Sequence, residues 1–143
     1  MNLSALTLTV PQKYYSSVME NSEKYQVPVQ YLIRLIEWES GWDSLCISQN
    51  KNGTTDLGLM QLNSAGLEDL SRWHNEGIPF DPMNWEVNLI MGIKHLRFLY
   101  ERTGSWWSAI ASYNMGVAGF TAMCDGKRKL PEGTKKELDY VFK

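Results

Sequence analysis

The sequence predicts a mainly α fold, a compact helical globule with one small irregular loop or hairpin region. Three observations predict it. Apolar residues recur at helical spacing along most of the chain, and helix start and stop residues punctuate it evenly. The one long stretch without that spacing, residues 41–57, is rich in Ser, Asn, Gly and Thr. The 143 residues are 43% hydrophobic and 21% charged. That length and composition suit a single domain over 1–143 and exclude a disordered chain.

The elements follow in order. Thr9 is expected to cap a first helix with Pro11 in its opening turn, and Tyr14, Val18, Ser22 and Tyr25 then recur at helical spacing. Pro28 ends that segment and opens a second helix through about Glu39. Its stripe is Leu32, Leu35, Ile36 and Glu39, and Gly41 is a fitting stop. Within the loop, Leu45-Cys46-Ile47 reads as a short strand. Asn63 or Ser64 caps a short helix through Leu70. A loop with Gly77, Pro79 and Pro82 leads to the longest helix, about Asn84 to Arg102, lined by Leu89, Ile93, Leu96 and Tyr100 and ended by Gly104. Ser105 caps a helix carrying Trp107, Ile110, Ala111 and Asn114. A last helix begins near Thr134 with Leu138, Val141 and Phe142 on one side.

Composition narrows the function classes. Fourteen basic against sixteen acidic residues, a net charge of −2, argue against a general nucleic-acid binder. No segment approaches the ~18 apolar residues of a membrane span. Residues Met1 to Pro11 lack the basic start of a secretory signal. Cys46 and Cys124 either bridge or stay as thiols, and nothing in their spacing suggests pairing. The two histidines, His74 and His95, are far from any Cys or Asp cluster, and His95 reads as a surface or packing residue. No HExxH, CxxC, GxSxG or P-loop pattern occurs. Six Trp and seven Tyr permit a stacking floor for cyclic ligands.

Carboxylates remain, and Glu39 differs from the rest. It lies seven residues after Leu32, close to two helical turns, so it points with the apolar stripe, whereas Glu37 lies about 140° round the helix from Leu32. A carboxyl group at the end of a buried stripe loses solvation, which favours its protonated form and suits a general acid. The negative end of the helix pushes the same way. On periodicity alone, a helix-terminal acid paired with a Lys or Arg is the commoner case.

The neighbourhood adds weight. Glu39-Ser40-Gly41-Trp42 is followed by Gly58-Leu59-Met60-Gln61 and then by Ala111-Ser112-Tyr113-Asn114-Met115-Gly116, with Tyr140-Val141 last. This order resembles the lytic transglycosylases, over about residues 25–141. The loop ending Asn52-Gly53-Thr54-Thr55-Asp56-Leu57 looks like the subgroup attached to secretion, conjugation or phage entry machines. The resemblance implies an α+β goose-type lysozyme-like fold with a central cleft. It implies cleavage of the β-1,4 bond between N-acetylmuramic acid and N-acetylglucosamine in peptidoglycan, with no cofactor. Glu39 matches the family's single catalytic acid. Ser40 matches its helix-end partner, and Ser48 a loop serine that contacts the acetamido group. Met60 and Gln61 match the cleft floor, Tyr113 and Asn114 the aromatic–amide pair opposite the acid, and Tyr140 the late tyrosine. The expected partners are glycan strands and a secretion, conjugation or phage tail assembly, and the chain is expected to be monomeric, without nucleic acid. The expected location is the periplasm or cell envelope, with the leader outside this sequence, or a phage virion.

The chain departs from the pattern at three places. Ser112 and Met115 replace alanines, and Lys136-Glu137 stands where Glu-Thr is usual. Alternatives stay open: a hydrolase in which Asp56 or Asp43 activates water, or a weakly active wall-binding component. Asp56 also reads as a turn cap.

Overall fold

Eight α-helices and one small antiparallel sheet build the chain, and the computed structural model describes every residue from Met1 to Lys143. The mainly helical expectation holds. The residues divide into two compact units, Met1–His95 and Leu96–Lys143.

In the first unit, α1 (Leu3–Thr7) opens at Asn2, whose Oδ1 accepts the Ala5 N–H at 2.8 Å. The next helix, α2 (Gln12–Lys24), starts after Pro11, whose ring presets φ at −56°. Thr9 therefore does not cap it. Its hydroxyl donates to the Leu6 carbonyl at 2.7 Å and contacts Glu37 Oε1 at 3.3 Å, closing α1 against the third helix. That helix, α3 (Val29–Ser40), begins at Pro28 as expected, and Leu32, Ile33, Leu35 and Ile36 have no exposed surface. Each such side chain contributes roughly 1.5–3 kcal/mol relative to exposure. Both α1 and α2 pack on α3.

The loop region carries a three-stranded sheet, β1 (Ile47–Gln49), β2 (Thr55–Leu57) and β3 (Leu62–Asn63), in that order and antiparallel. Ser48 pairs with Asp56, and Asp56 with Asn63. The first strand lies two residues later than expected. Asp43 holds residues 43–46 in a turn, its Oδ1 accepting the Leu45 N–H at 2.9 Å and its carbonyl accepting the Cys46 N–H at 3.1 Å. Asn63 Oδ1 then caps a 3-10 turn, Ser64–Gly66, that leads into α4 (Leu67–His74). The long α5 (Trp85–Thr103) is capped by Asn84, which accepts the Glu86 and Val87 N–H groups at 3.2 Å. Leu89, Ile93, Leu96 and Leu99 along it are fully buried, whereas Tyr100 is half-buried.

In the second unit, α6 (Trp106–Met115) starts at Ser105, whose Oγ accepts the Ser108 N–H at 3.1 Å. A further helix, α7 (Val117–Cys124), was not anticipated. It buries none of its residues, so no amphipathic stripe announces it. The last helix, α8 (Glu132–Val141), follows Pro131 and buries Leu138 and Val141. Both α7 and α8 pack on α6. Cys46 and Cys124 are free thiols. No helix is long and apolar enough to cross a membrane.

Candidate active site

Glu39 stands one residue before the end of α3, half-buried, three residues after Ile36, the last of the fully buried Leu32, Ile33, Leu35 and Ile36. The helix stops sharply there. Gly41 takes a left-handed conformation, φ 59° and ψ 31°, and its N–H donates to the Glu37 carbonyl at 3.0 Å. Trp42 is also left-handed, φ 67°, which costs about 1–2 kcal/mol for a non-glycine residue. Its ring stacks on Tyr14 with centroids 6.0 Å apart and planes 13° off parallel, and Tyr14 meets Trp85 edge-on at 4.9 Å. These aromatics hold the chain where it leaves the helix. The Ser40 hydroxyl donates to the Ile36 carbonyl at 3.3 Å, so it serves the helix end.

The Gly58–Gln61 segment is anchored from beneath by Asn88 of α5, which has no exposed surface. Asn88 Oδ1 accepts the Met60 N–H at 2.9 Å, and Nδ2 donates to the Leu57 and Pro82 carbonyls at 2.8 Å each. Gly58 is left-handed, φ 75°, and a Cβ on it would lie 2.4 Å from Asn88 Nδ2. Only glycine satisfies both conditions. Met60 is wholly buried, and its Cγ would lie 2.5 Å from a Cβ added at Gly92. It fills core where the resemblance implied a groove lining.

Gln61 is 7% exposed and left-handed, φ 51°. Its Nε2 donates to the Cys46 carbonyl at 3.1 Å and the Gly58 carbonyl at 2.9 Å, while its Oε1 accepts the half-buried Ser48 hydroxyl at 2.7 Å. Asp56 Oδ1 accepts from Asn63 Nδ2 at 3.0 Å across the sheet. Asp56 and Asp43 both serve local structure.

His74 Nε2 lies 3.1 Å from His95 Nδ1, and Trp73 lies nearly parallel to the His95 ring at 6.0 Å. Burial, then the nearby His74 charge, push His95 down to about 4. Burial, then Lys94, lower His74. Lys94 also donates to the His74 carbonyl at 3.1 Å.

The second unit holds Tyr113 and Asn114 in the last turn of α6 and Tyr140 in α8; Tyr113 and Tyr140 are half-buried and Asn114 is exposed. The Thr134 hydroxyl, buried in the first turn of α8, donates to Asn114 Oδ1. Lys143 Nζ sits 3.7 Å over the Tyr140 ring. In the departing late motif, Lys136 is exposed and Glu137 is fully buried. The sequence-predicted residues thus fall as Glu39, Ser40, Ser48, Met60 and Gln61 in one unit and Tyr113, Asn114 and Tyr140 in the other. Sequence reasoning missed Asn88 and Thr134. Asn88 and Gly92, four apart on an apolar helix, were the available signal for the first. Thr134 was read only as a helix start.

A profile of the transglycosylase SLT domain matches residues 16–130, and the chain belongs to that family. It is similar to the Invasion protein IagB of Salmonella typhimurium, 26% identical over 102 residues, covering 70% of this chain and 62% of that protein. It is also similar to Protein IpgF of Shigella sonnei, 28% identical over 99 residues, covering 67% and 62%. The chain spans about 62% of the length of the relatives it matches. Among solved structures, an inactive glutamate-to-glutamine mutant of the lytic transglycosylase Slt from Pseudomonas aeruginosa matches with a TM-score of 0.74. That match covers 95% of this chain and 24% of that chain at 19% identity, and it shows the shared lysozyme-like fold.

Proposed function

We propose that this chain is a peptidoglycan lytic transglycosylase, acting over 1–143 as one catalytic domain with Glu39 as its single acid and base. The observation that carries the reading is Glu39 itself. It is half-buried in the last turn of α3, and the order of motifs around it resembles the one in which the family carries its acid. The Pseudomonas aeruginosa relative in fold is an inactive mutant by a glutamate-to-glutamine change, which accords with a carboxyl-dependent reaction.

Glycosidases usually employ two carboxylates, and substrate-assisted members are the exception. Here the second group comes from the sugar. Protonated Glu39 donates its proton to the oxygen linking N-acetylmuramic acid to N-acetylglucosamine, and that bond breaks. The acetamido carbonyl oxygen bonds to the anomeric carbon and carries the developing positive charge. Ionised Glu39 then takes the proton of the C6 hydroxyl, whose oxygen displaces the acetamido oxygen and closes a 1,6-anhydro ring. Glu39 ends protonated, and no water is consumed. Ser48, Tyr113, Asn114 and Tyr140 would hold the acetamido and flanking sugars.

The hydrolase alternative is weakened because Asp56 and Asp43 are engaged by Asn63 and by the Leu45 N–H. The loop ending Asn52-Gly53-Thr54-Thr55-Asp56-Leu57, which resembles the subgroup attached to secretion, conjugation or phage entry machines, supports work in the cell envelope beside such an assembly. Digestion of purified sacculi tests the reaction. Mass spectrometry should find anhydro-ended muropeptides; reducing ends would assign a hydrolase instead.

A further inference from the structure

We propose that Arg128 is a specificity-determining residue, a guanidinium seated beside the last turn of α6 to take a carboxylate of the substrate. The inference rests on the peptidoglycan reading of this chain and names a part of that polymer recognised in addition to its sugars.

A glycine inside a helix weakens it relative to alanine. Gly119 sits inside α7, and its backbone is not left-handed, so conformation does not call for it. Space does. A Cβ on Gly119 would lie 2.9 Å from Arg128 Nη1 and 3.4 Å from Met115 Cβ. The guanidinium therefore rests on α7 at Gly119, beside Met115. Met115 directly follows Asn114, the exposed amide that the proposed mechanism sets on the sugars. The chain that brings Arg128 there is held as well. After α7 it turns through Gly126, left-handed at φ 74°, and the Lys127 N–H donates to the Ala122 carbonyl at 2.8 Å.

Arg128 is exposed between the exposed Lys127 and Lys129. Asp125 and Glu132 stand close in the sequence, yet the ion pairs are Arg72–Asp69, Arg97–Glu101 and Lys135–Asp139. Arg128 takes part in no ion pair and no hydrogen bond. A basic residue after a helix C-terminus does favour the helix dipole. That effect needs only charge in the loop and gives no reason for a glycine at 119. An unengaged guanidinium prefers an anion to the neutral hydroxyl and amide groups of a glycan, and its planar fork matches a carboxylate. Peptidoglycan carries carboxylates on its peptide stems, and on its lactyl groups where a stem has been removed. Strands of N-acetylglucosamine alone carry none.

The test uses the full chain carrying Glu39→Gln, so that binding is read without turnover. Calorimetry gives Kd for three tetrasaccharides: the alternating wall repeat with its peptide stems, the same repeat stripped to bare lactyl groups, and β-1,4-linked N-acetylglucosamine. Arg128→Ala should raise Kd about fivefold for the repeat whose carboxylate it takes, the upper range for an exposed ion pair. The uncharged tetramer should bind as before. A loss confined to the stem-bearing repeat assigns a stem carboxylate, and one confined to the stripped repeat assigns the lactyl group. Gly119→Ala keeps every charge and suits the helix better, yet it pushes the guanidinium off its seat. It should raise the same Kd roughly twofold with Tm equal or higher. Four results would overturn the proposal: unchanged Kd for both carboxylate-bearing repeats in Arg128→Ala, an equal loss on the uncharged tetramer, unchanged Kd in Gly119→Ala, or no binding by the background protein. Should the parent release anhydro-ended products while these variants bind unchanged, the inference alone fails. Should the variants behave as expected while the parent cleaves nothing, the catalytic reading alone fails.

Discussion

Thr134 donates its hydroxyl to the side-chain carbonyl oxygen of Asn114, joining the first turn of α8 to the last turn of α6. A threonine in the first turn of a helix has no carbonyl four residues back within that helix to bond. Asn114 Oδ1 takes that place, which leaves the exposed Asn114 with its NH2 group as the outward donor.

Removing that hydroxyl should release the amide. Thr134→Val is expected to raise KM on sacculi roughly fivefold with a small change in kcat, and to lower stability by about 1 kcal/mol. Thr134→Ser should restore both. Steady-state kinetics and urea unfolding of the pair check this, and equal KM values for Val and Ser variants would count against it.

Asn88 and Gly58 are expected to be the most sensitive positions under the Gly58–Gln61 turn. Asn88→Ala leaves the Met60 N–H and the Leu57 and Pro82 carbonyls without their partner. Unmet buried groups cost about 1–3 kcal/mol each, so a loss of about 3 kcal/mol or more is expected. Gly58→Ala meets Asn88 at 2.4 Å in a left-handed conformation and should cost at least about 2 kcal/mol. Urea midpoints measure both; losses under 1 kcal/mol would refute the anchoring role.

The histidine pair gives the fold an acid limb. Both rings titrate lower in the fold than the ordinary 6.5, His95 at about 4. Between those values the unfolded chain binds more protons, so stability is full above pH 6.5 and falls as pH drops. The His95 contribution levels off below about pH 4. Thermal unfolding from pH 7.5 to 4.5 should show a falling Tm, and His95→Gln should flatten the fall. A Tm curve unaffected by that substitution would remove the pair as its cause.

What the sequence discloses and what it hides divide along physical lines. The α3 stripe, the Gly41 stop, and the Asn63 and Ser105 caps were all legible, because periodicity and capping act within a few residues. The five-residue α1 is too short to show a period, and α7 has no buried face to reveal one. Met60 was read as groove lining because the family resemblance implied it, yet Gly92 on α5 opens a core slot for it. The braces are the deeper gap. Asn88 reaches Met60 across 28 residues and Thr134 reaches Asn114 across 20, and no local pattern joins such pairs. Gln61 was read as a sugar contact because a buried amide and an exposed one look alike in a sequence.

The most direct test of Glu39 is digestion of sacculi by the parent and by Glu39→Gln, with circular dichroism of both. The parent should release anhydro-ended muropeptides, and the variant, folded alike, should release none above background. Parental rates of wall clearance by the folded variant would contradict the assignment of the acid.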